Sequence, residues 1–437
     1  MIDLKSIKFK FGIPWVPMAT VLNFVIYSEV YEKFVVPKFN FGGMTFNPRE
    51  YVLFELILLL FTSLLLKNKL TKPSEFYNWL YFSILLIPSA VLSAQQGNSR
   101  FHLFLMFAAL WILIIFRWLF SQLIYNRTIS NDCNFKYLPY YSVIVFVLLI
   151  LVSLVISVKG VFNLNFENVY HFRFNISRNM PIALKYLLPL ASGTLIGYLA
   201  ALSLHRKDFK IMFVVTMIGV SFFAFSSHKS MLFNPFVAFA GYMILDKSRP
   251  QLLILGGLVA VAILILVLPD IANTWLGPLF VNRIFFVPSN INFNYFDFFS
   301  NNPFIFWAES KISLGLIDRI LPMPVMKFIG GLMTGNYEVA ANTGWVANAY
   351  MNAGVIGITI YAVIIGFLFS LIDFWANVYG KQLVCGAFLV PIITFMMSAD
   401  LLIVFLTSGL IFLLIIFEVT TQIIFTFKFG RVNFVKN

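Results

Sequence analysis

Six side chains could do anion chemistry: Arg173, Arg178 and Lys185 lie close together, His228 and Lys229 are adjacent, and Arg283 precedes an aromatic run. Cations in such groups hold a phosphorylated leaving group and stabilise the charge that develops on it. The chain carries no Asp-x-Asp pair, no His-Glu-x-x-His and no phosphate-binding loop, so cationic side chains would stand in for a metal. His228 is a candidate proton acceptor because a free imidazole titrates near neutrality. His171 offers the same chemistry from a loop, and Asp297, Glu309, Asp318 and Glu338 are carboxylate alternatives. His102 and His205 fall near the ends of apolar stretches and carry no expected role.

The elements that position these groups follow from composition. Of 437 residues, 60% are hydrophobic and only 11% charged, against about 25% charged in a soluble domain. Such a chain cannot wet its own surface, so the reading is an all-α integral membrane protein, a single polytopic domain over 1–437. About 20 apolar residues cross a bilayer as a helix. Twelve spans are expected, near 14–36, 50–66, 76–94, 101–125, 138–158, 183–204, 210–226, 230–245, 251–269, 343–376, 382–398 and 400–427. The two cysteines, Cys133 and Cys385, make no disulfide framework or metal cluster.

The net charge of +13 would suggest nucleic acid in a soluble protein, but here it sets orientation. With both termini cytoplasmic, seventeen of the 31 Lys and Arg fall on the inner side, among them Lys67, Lys69, Arg206, Lys207, Lys247 and Arg249. Thirteen fall outside, and Arg117 lies inside a span. The outer side then holds two large loops, 159–182 and 270–343, and a tight turn at Ser226–Lys229.

The longer loop is crowded with rings, including Trp275, Phe285, Phe286, Phe293, Tyr295, Phe296, Phe299 and Trp307. That composition predicts short amphipathic helices that lie in the interface or re-enter it. After the loop, Asn342, Asn348 and Asn352 bring amides to the mouth of a span among small residues. Helix packing accounts for the small residues, and a sugar is a partner suited to the amides. No second half repeats this layout, which favours an enzyme over a carrier built from paired halves.

Three stretches now point in one direction: Asn168 to Arg173, Arg283 to Pro288 leading through Tyr295 to Phe299, and Asn342 to Gly357. In their order and topology, over roughly residues 160–360, the chain resembles the Wzy-type oligosaccharide repeat-unit polymerases that make O-antigen and capsule. The resemblance implies a GT-C-like inverting glycosyltransferase of the bacterial inner membrane that uses no metal or cofactor. Its implied substrates are undecaprenyl-pyrophosphate-linked oligosaccharides, joined at the periplasmic face, with a chain-length-regulating co-polymerase as partner and no nucleic acid. Arg173 and Arg283 would then hold the pyrophosphate with His228 beside them. Arg178 and Lys229 would support them, and Tyr295, Asn342 and Asn348 would touch sugar. An O-antigen ligase is the nearest rival, although such enzymes are expected to carry a His in the large outer loop and 270–343 has none. A lipid-linked oligosaccharide flippase is the rival from another class. It would place charges within the spans, where this chain has only a few, such as Glu55, Arg117, Asp373 and Glu418.

Overall fold

The computed structural model describes residues 15–39, 43–124, 138–166, 180–268, 283–310 and 313–434 (side chains to 422), plus positions 136, 169, 172–173, 176, 270, 274 and 277. The described residues are helical and include no strand. In chain order the first five helices are α1 (Trp15–Val30, continued to Phe39), α2 (Leu53–Leu65), α3 (Pro73–Gln96), α4 (Arg100–Ile124) and α5 (Tyr141–Ser157). Then come α6 (Ile182–His205), α7 (Phe209–Ser226), α8 (Lys229–Ile244) and α9 (Pro250–Val267). The large outer loop supplies α10 (Val287–Asn301) and α11 (Val325–Thr334). The chain finishes with α12 (Trp345–Tyr379), α13 (Lys381–Met397), α14 (Leu401–Leu406) and α15 (Leu410–Phe434).

Among the described residues six helices, α3, α4, α6, α7, α9 and α12, are long and apolar enough to cross a membrane. The remaining expected spans are shorter or interrupted. α1 carries Glu29, Glu32 and Lys33 in its second half, and α8 has sixteen residues with Pro235 inside. The stretch 400–427 breaks between α14 and α15. Burial separates an inner from an outer set: the apolar windows of α3 and α6 are 94% and 78% buried, those of α7 and α9 only 39%. The outer set therefore presents apolar side chains such as Phe213, Leu264 and Val267 outward, a surface suited to lipid rather than water.

Capping explains where the inner helices begin. Pro73 opens α3 at a position where a missing N–H costs nothing. Glu75 reaches back to accept from the N–H groups of Thr71 (2.8 Å) and Lys72 (3.1 Å). Asp373 of α12 accepts from the Ser74 N–H (3.1 Å) and hydroxyl (2.7 Å), and Arg117 of α4 pairs with the same carboxylate at 3.0 Å. This buried cluster ties three helices together, and it accounts for the lone in-span arginine without any catalytic role.

α12 is not one straight helix. Ala353 (φ −155°, ψ 29°) and Gly354 (φ +59°, ψ −138°) break it, leaving a buried half-helix from Trp345 to Asn352. The break frees carbonyls, and the outer loop fills them. Ile305 and Phe306 donate their N–H groups to Met351 O (3.0 Å) and Asn352 O (3.1 Å), and the Trp307 N–H donates to Asn352 Oδ1 (2.7 Å). Phe306 and Trp307 hold φ of +47° and +61°, each at a cost of about 1–3 kcal/mol that the surrounding contacts offset. The Trp307 indole donates to the Tyr361 hydroxyl (3.1 Å), which donates to Asp400 (2.9 Å).

The bend folds Gly357 against the Ala349 carbonyl, where a Cβ would overlap the oxygen. Gly357→Val is therefore expected to remove about 4 kcal/mol or more, the range reached when backbone must move. In detergent it should yield aggregated protein, whereas Gly257→Leu, which meets nothing within 4 Å, should elute as the parent does.

α10 is embedded: Phe293, Tyr295, Phe296 and Phe299 are buried together with Ser289, Asn290 and Asn292. Its polar residues serve neighbouring backbone and side chains, as when Ser289 donates to Leu85 O (3.2 Å) and Thr343 donates to Asn292 Oδ1 (2.6 Å).

Candidate functional site

A cavity of about 540 Å³ lies where the loop after α5, α6, α8 and α13 meet. Arg173, Lys185 and His228 line it. The three come from separate stretches, and two local features converge them. Ser227 adopts φ +57°, which ends α7 and turns the chain directly into α8, so His228 sits at the rim. The His228 N–H donates to Ser226 Oγ (3.2 Å), whose hydroxyl in turn donates to Phe222 O (2.6 Å). The loop after α5 is tied to that turn, with the Asn163 N–H donating to Ala224 O (2.8 Å).

Arg173 and Lys185 are exposed, whereas His228 is half-buried. Burial first, and the Arg173 guanidinium second, push the His228 imidazole down to about 4. It is thus neutral at pH 7, so the charge of the cavity is carried by Arg173 and Lys185. An anion seated beside Arg173 would offset the guanidinium and raise the proton affinity of His228.

That depression has a direct chemical readout, because diethyl pyrocarbonate reacts with neutral imidazole. An ordinary histidine loses roughly tenfold in neutral fraction between pH 7.5 and 5.5, whereas His228 should stay neutral across that interval. Site-resolved mass spectrometry is expected to find its modification rate nearly unchanged; a tenfold fall would contradict the depressed value.

Hydroxyls and amides complete the wall: Ser192, Thr194, Ser230, Asn234 and Ser408. The Asn234 amide donates to Ser192 O (2.7 Å), and Thr194 donates to Ser408 O. The chain matches no protein-family model, and no curated protein or solved structure is detectably similar to it. The chemistry of the cavity therefore rests on its own residues. Two cations and a neutral imidazole share a space also lined by Leu188, Met231 and Pro391, all buried. Among the described residues no group of three or more His, Cys, Asp or Glu could hold a metal ion.

The other sequence-selected residues lie elsewhere. Arg283 is exposed in the turn leading into α10 and does not line the cavity. Lys229 opens α8 with its ammonium 5.5 Å from the Phe166 ring centroid, directed at that ring rather than lining the cavity. Asn342 is exposed just ahead of α12, and Arg178 lies outside the described residues. Tyr295 and Asn348 bond to the protein's own backbone. The Tyr295 ring is buried and its hydroxyl donates to Ala341 O (3.0 Å). The Asn348 amide, also buried, donates to Thr343 O (2.8 Å) and Gly344 O (2.9 Å) at the start of the half-helix.

A second polar centre was not expected. His102, buried in the first turn of α4, has Nδ1 3.0 Å from Asp297 Oδ1 and Nε2 3.0 Å from Ser300 Oγ. Ser300 is also 3.1 Å from the Tyr350 hydroxyl, and Phe296 stacks on the imidazole. The Nδ1 contact is close in distance but not aligned as a hydrogen bond. Asp297 and Ser300, one turn apart on α10, were the available signal, but nothing local to His102 pointed across to them.

Proposed function

We propose that this chain is a membrane glycosyltransferase of the repeat-unit polymerase kind, with up to twelve spans, a GT-C-like layout and both termini cytoplasmic. It joins lipid-pyrophosphate-linked oligosaccharides at the periplasmic face of the bacterial inner membrane. One observation carries the reading: Arg173 and Lys185, close in sequence, line one cavity with the distant His228 at the ends of helices assigned to the outer side. The resemblance of residues 160–360 to the Wzy-type polymerases adds the substrate class.

In this reading an acceptor hydroxyl attacks the anomeric carbon of the donor glycan and displaces its lipid pyrophosphate with inversion. The bond to the pyrophosphate oxygen breaks and its electrons remain on the diphosphate. Arg173 and Lys185 hold that group and stabilise the added charge, the role preorganised cations play at a departing anion. His228, neutral in the empty cavity, hydrogen-bonds beside them. The acceptor hydroxyl loses its proton to water as its oxygen forms the new bond, and no side chain is assigned as the base.

The test is deletion of the gene with the surface glycan resolved on a gel. A polymerase deletion leaves lipid cores capped by a single repeat unit. Loss of every capped species would point instead to a flippase or a ligase and would overturn the reading.

A further inference from the structure

The wall of the cavity contains a device that the proposed reaction does not use. Residues Leu190–Leu195 form a π-turn inside α6, a wide turn that is costly in isolation and is often found at functional sites. Side chains hold it in place: Ser192 donates to Leu188 O (2.7 Å), and the Asn234 amide of α8 donates back to Ser192 O (2.7 Å). Between Ser192 and Thr194 the turn presents Gly193 to the cavity. A Cβ built on Gly193 would meet no atom within 4 Å. One turn further on, a Cβ on Gly197 would lie 3.2 Å from Val390, as expected of a glycine used for helix packing. Glycine costs a helix about 1 kcal/mol relative to alanine, and at Gly193 no close packing offsets that cost. Its absent side chain leaves open space in the cavity that Leu188, Met231 and Pro391 line together with the exposed Arg173 and Lys185. Exposed cations, with buried Leu188, Met231 and Pro391 set among the hydroxyls of the same wall, describe a receptor for an anion carried on an apolar chain.

We infer that Gly193 is the position that admits the apolar chain of a lipid diphosphate into this cavity, and that any side chain there narrows the passage. The inference rests on the cavity being the anion site of the proposed function, and it assigns to that site a residue that selects the ligand by its tail.

The experiment uses the purified full-length chain in detergent and measures binding of geranylgeranyl diphosphate and of inorganic diphosphate by titration calorimetry. The parent protein should bind the isoprenyl compound at least tenfold more tightly than inorganic diphosphate. Gly193→Leu should lose that preference while keeping its affinity for inorganic diphosphate. Gly193→Ala, a milder change in the same open space, should give an intermediate loss. Gly257→Leu, on the exposed face of α9, should change neither affinity. Unchanged isoprenyl binding in Gly193→Leu would overturn the inference, as would an equal loss of both ligands or a parent protein without tail preference. The polymerase reading fails separately: if the tail preference depends on Gly193 but gene deletion leaves the glycan ladder intact, the lipid site stands and the reaction does not.

Discussion

Arg173→Ala combined with Lys185→Ala is expected to abolish glycan polymer while the protein still inserts and purifies. The two side chains are the exposed cations of the cavity, and His228, depressed to about 4, contributes no charge at pH 7. Removing one preorganised donor to a developing anion typically costs about 10²–10³ in rate, so losing both leaves nothing to hold the diphosphate as it departs. Neither residue belongs to a packed interior, which makes loss through misfolding a poor alternative. Each single variant should retain a trace of short polymer, and Arg173→Lys should recover part of the Arg173→Ala loss, since a point charge replaces the guanidinium without its fork. Arg283→Ala is the informative contrast. It stands outside the cavity, so its ladder should match the parent; a blank lane would move the diphosphate site towards α10.

The second large effect concerns assembly. Asp373→Ala leaves the Arg117 guanidinium in a buried site without its counter-ion and deprives Ser74 of the acceptor that starts α3. Breaking one side of a buried pair costs about 3–5 kcal/mol, whereas replacing both partners is often close to neutral. The single variant should therefore be recovered poorly from membranes. Arg117→Met combined with Asp373→Asn removes both charges and keeps an amide oxygen for Ser74, so it should restore most of the yield. Thermal unfolding followed by size-exclusion chromatography ranks the three proteins. A double variant as unstable as Asp373→Ala would mean that the charge itself, rather than its pairing, is required.

These two outcomes also show which parts of the molecule could be read from the chain. Arg173 was legible because a cation assigned to the outer side runs against the usual bias and so demands a reason, and His228 because an imidazole at a tight turn is a candidate proton acceptor. The convergence of Lys185 with them depends on the Ser227 turn, whose left-handed backbone has no signature in a serine. Ser192 and Asn234 were invisible as cavity residues, since a π-turn has no sequence pattern and an isolated polar residue in a span reads as helix packing. Tyr295 and Asn348 share one explanation. Polar groups near a membrane mouth suggest a ligand, but the carbonyls of the segment that leads into α12 accept from both side chains. Around Gly354 the small residues were read as close helix approach, whereas the left-handed φ and the packing of Phe304 on that glycine make it a hinge point of the fold. His102 and Asp297 meet only because α4 and α10 pack, and no local spacing carries that information.

Reconstitution provides the most direct measurement of the central claim. The purified chain is placed in liposomes with lipid-pyrophosphate-linked repeat units and EDTA, and the glycans are resolved by size. A ladder of multiples of the repeat unit should form, should be lost with Arg173→Ala plus Lys185→Ala, and should persist with Arg283→Ala. Repeat units that stay single, whether or not they cross the bilayer, would contradict the account.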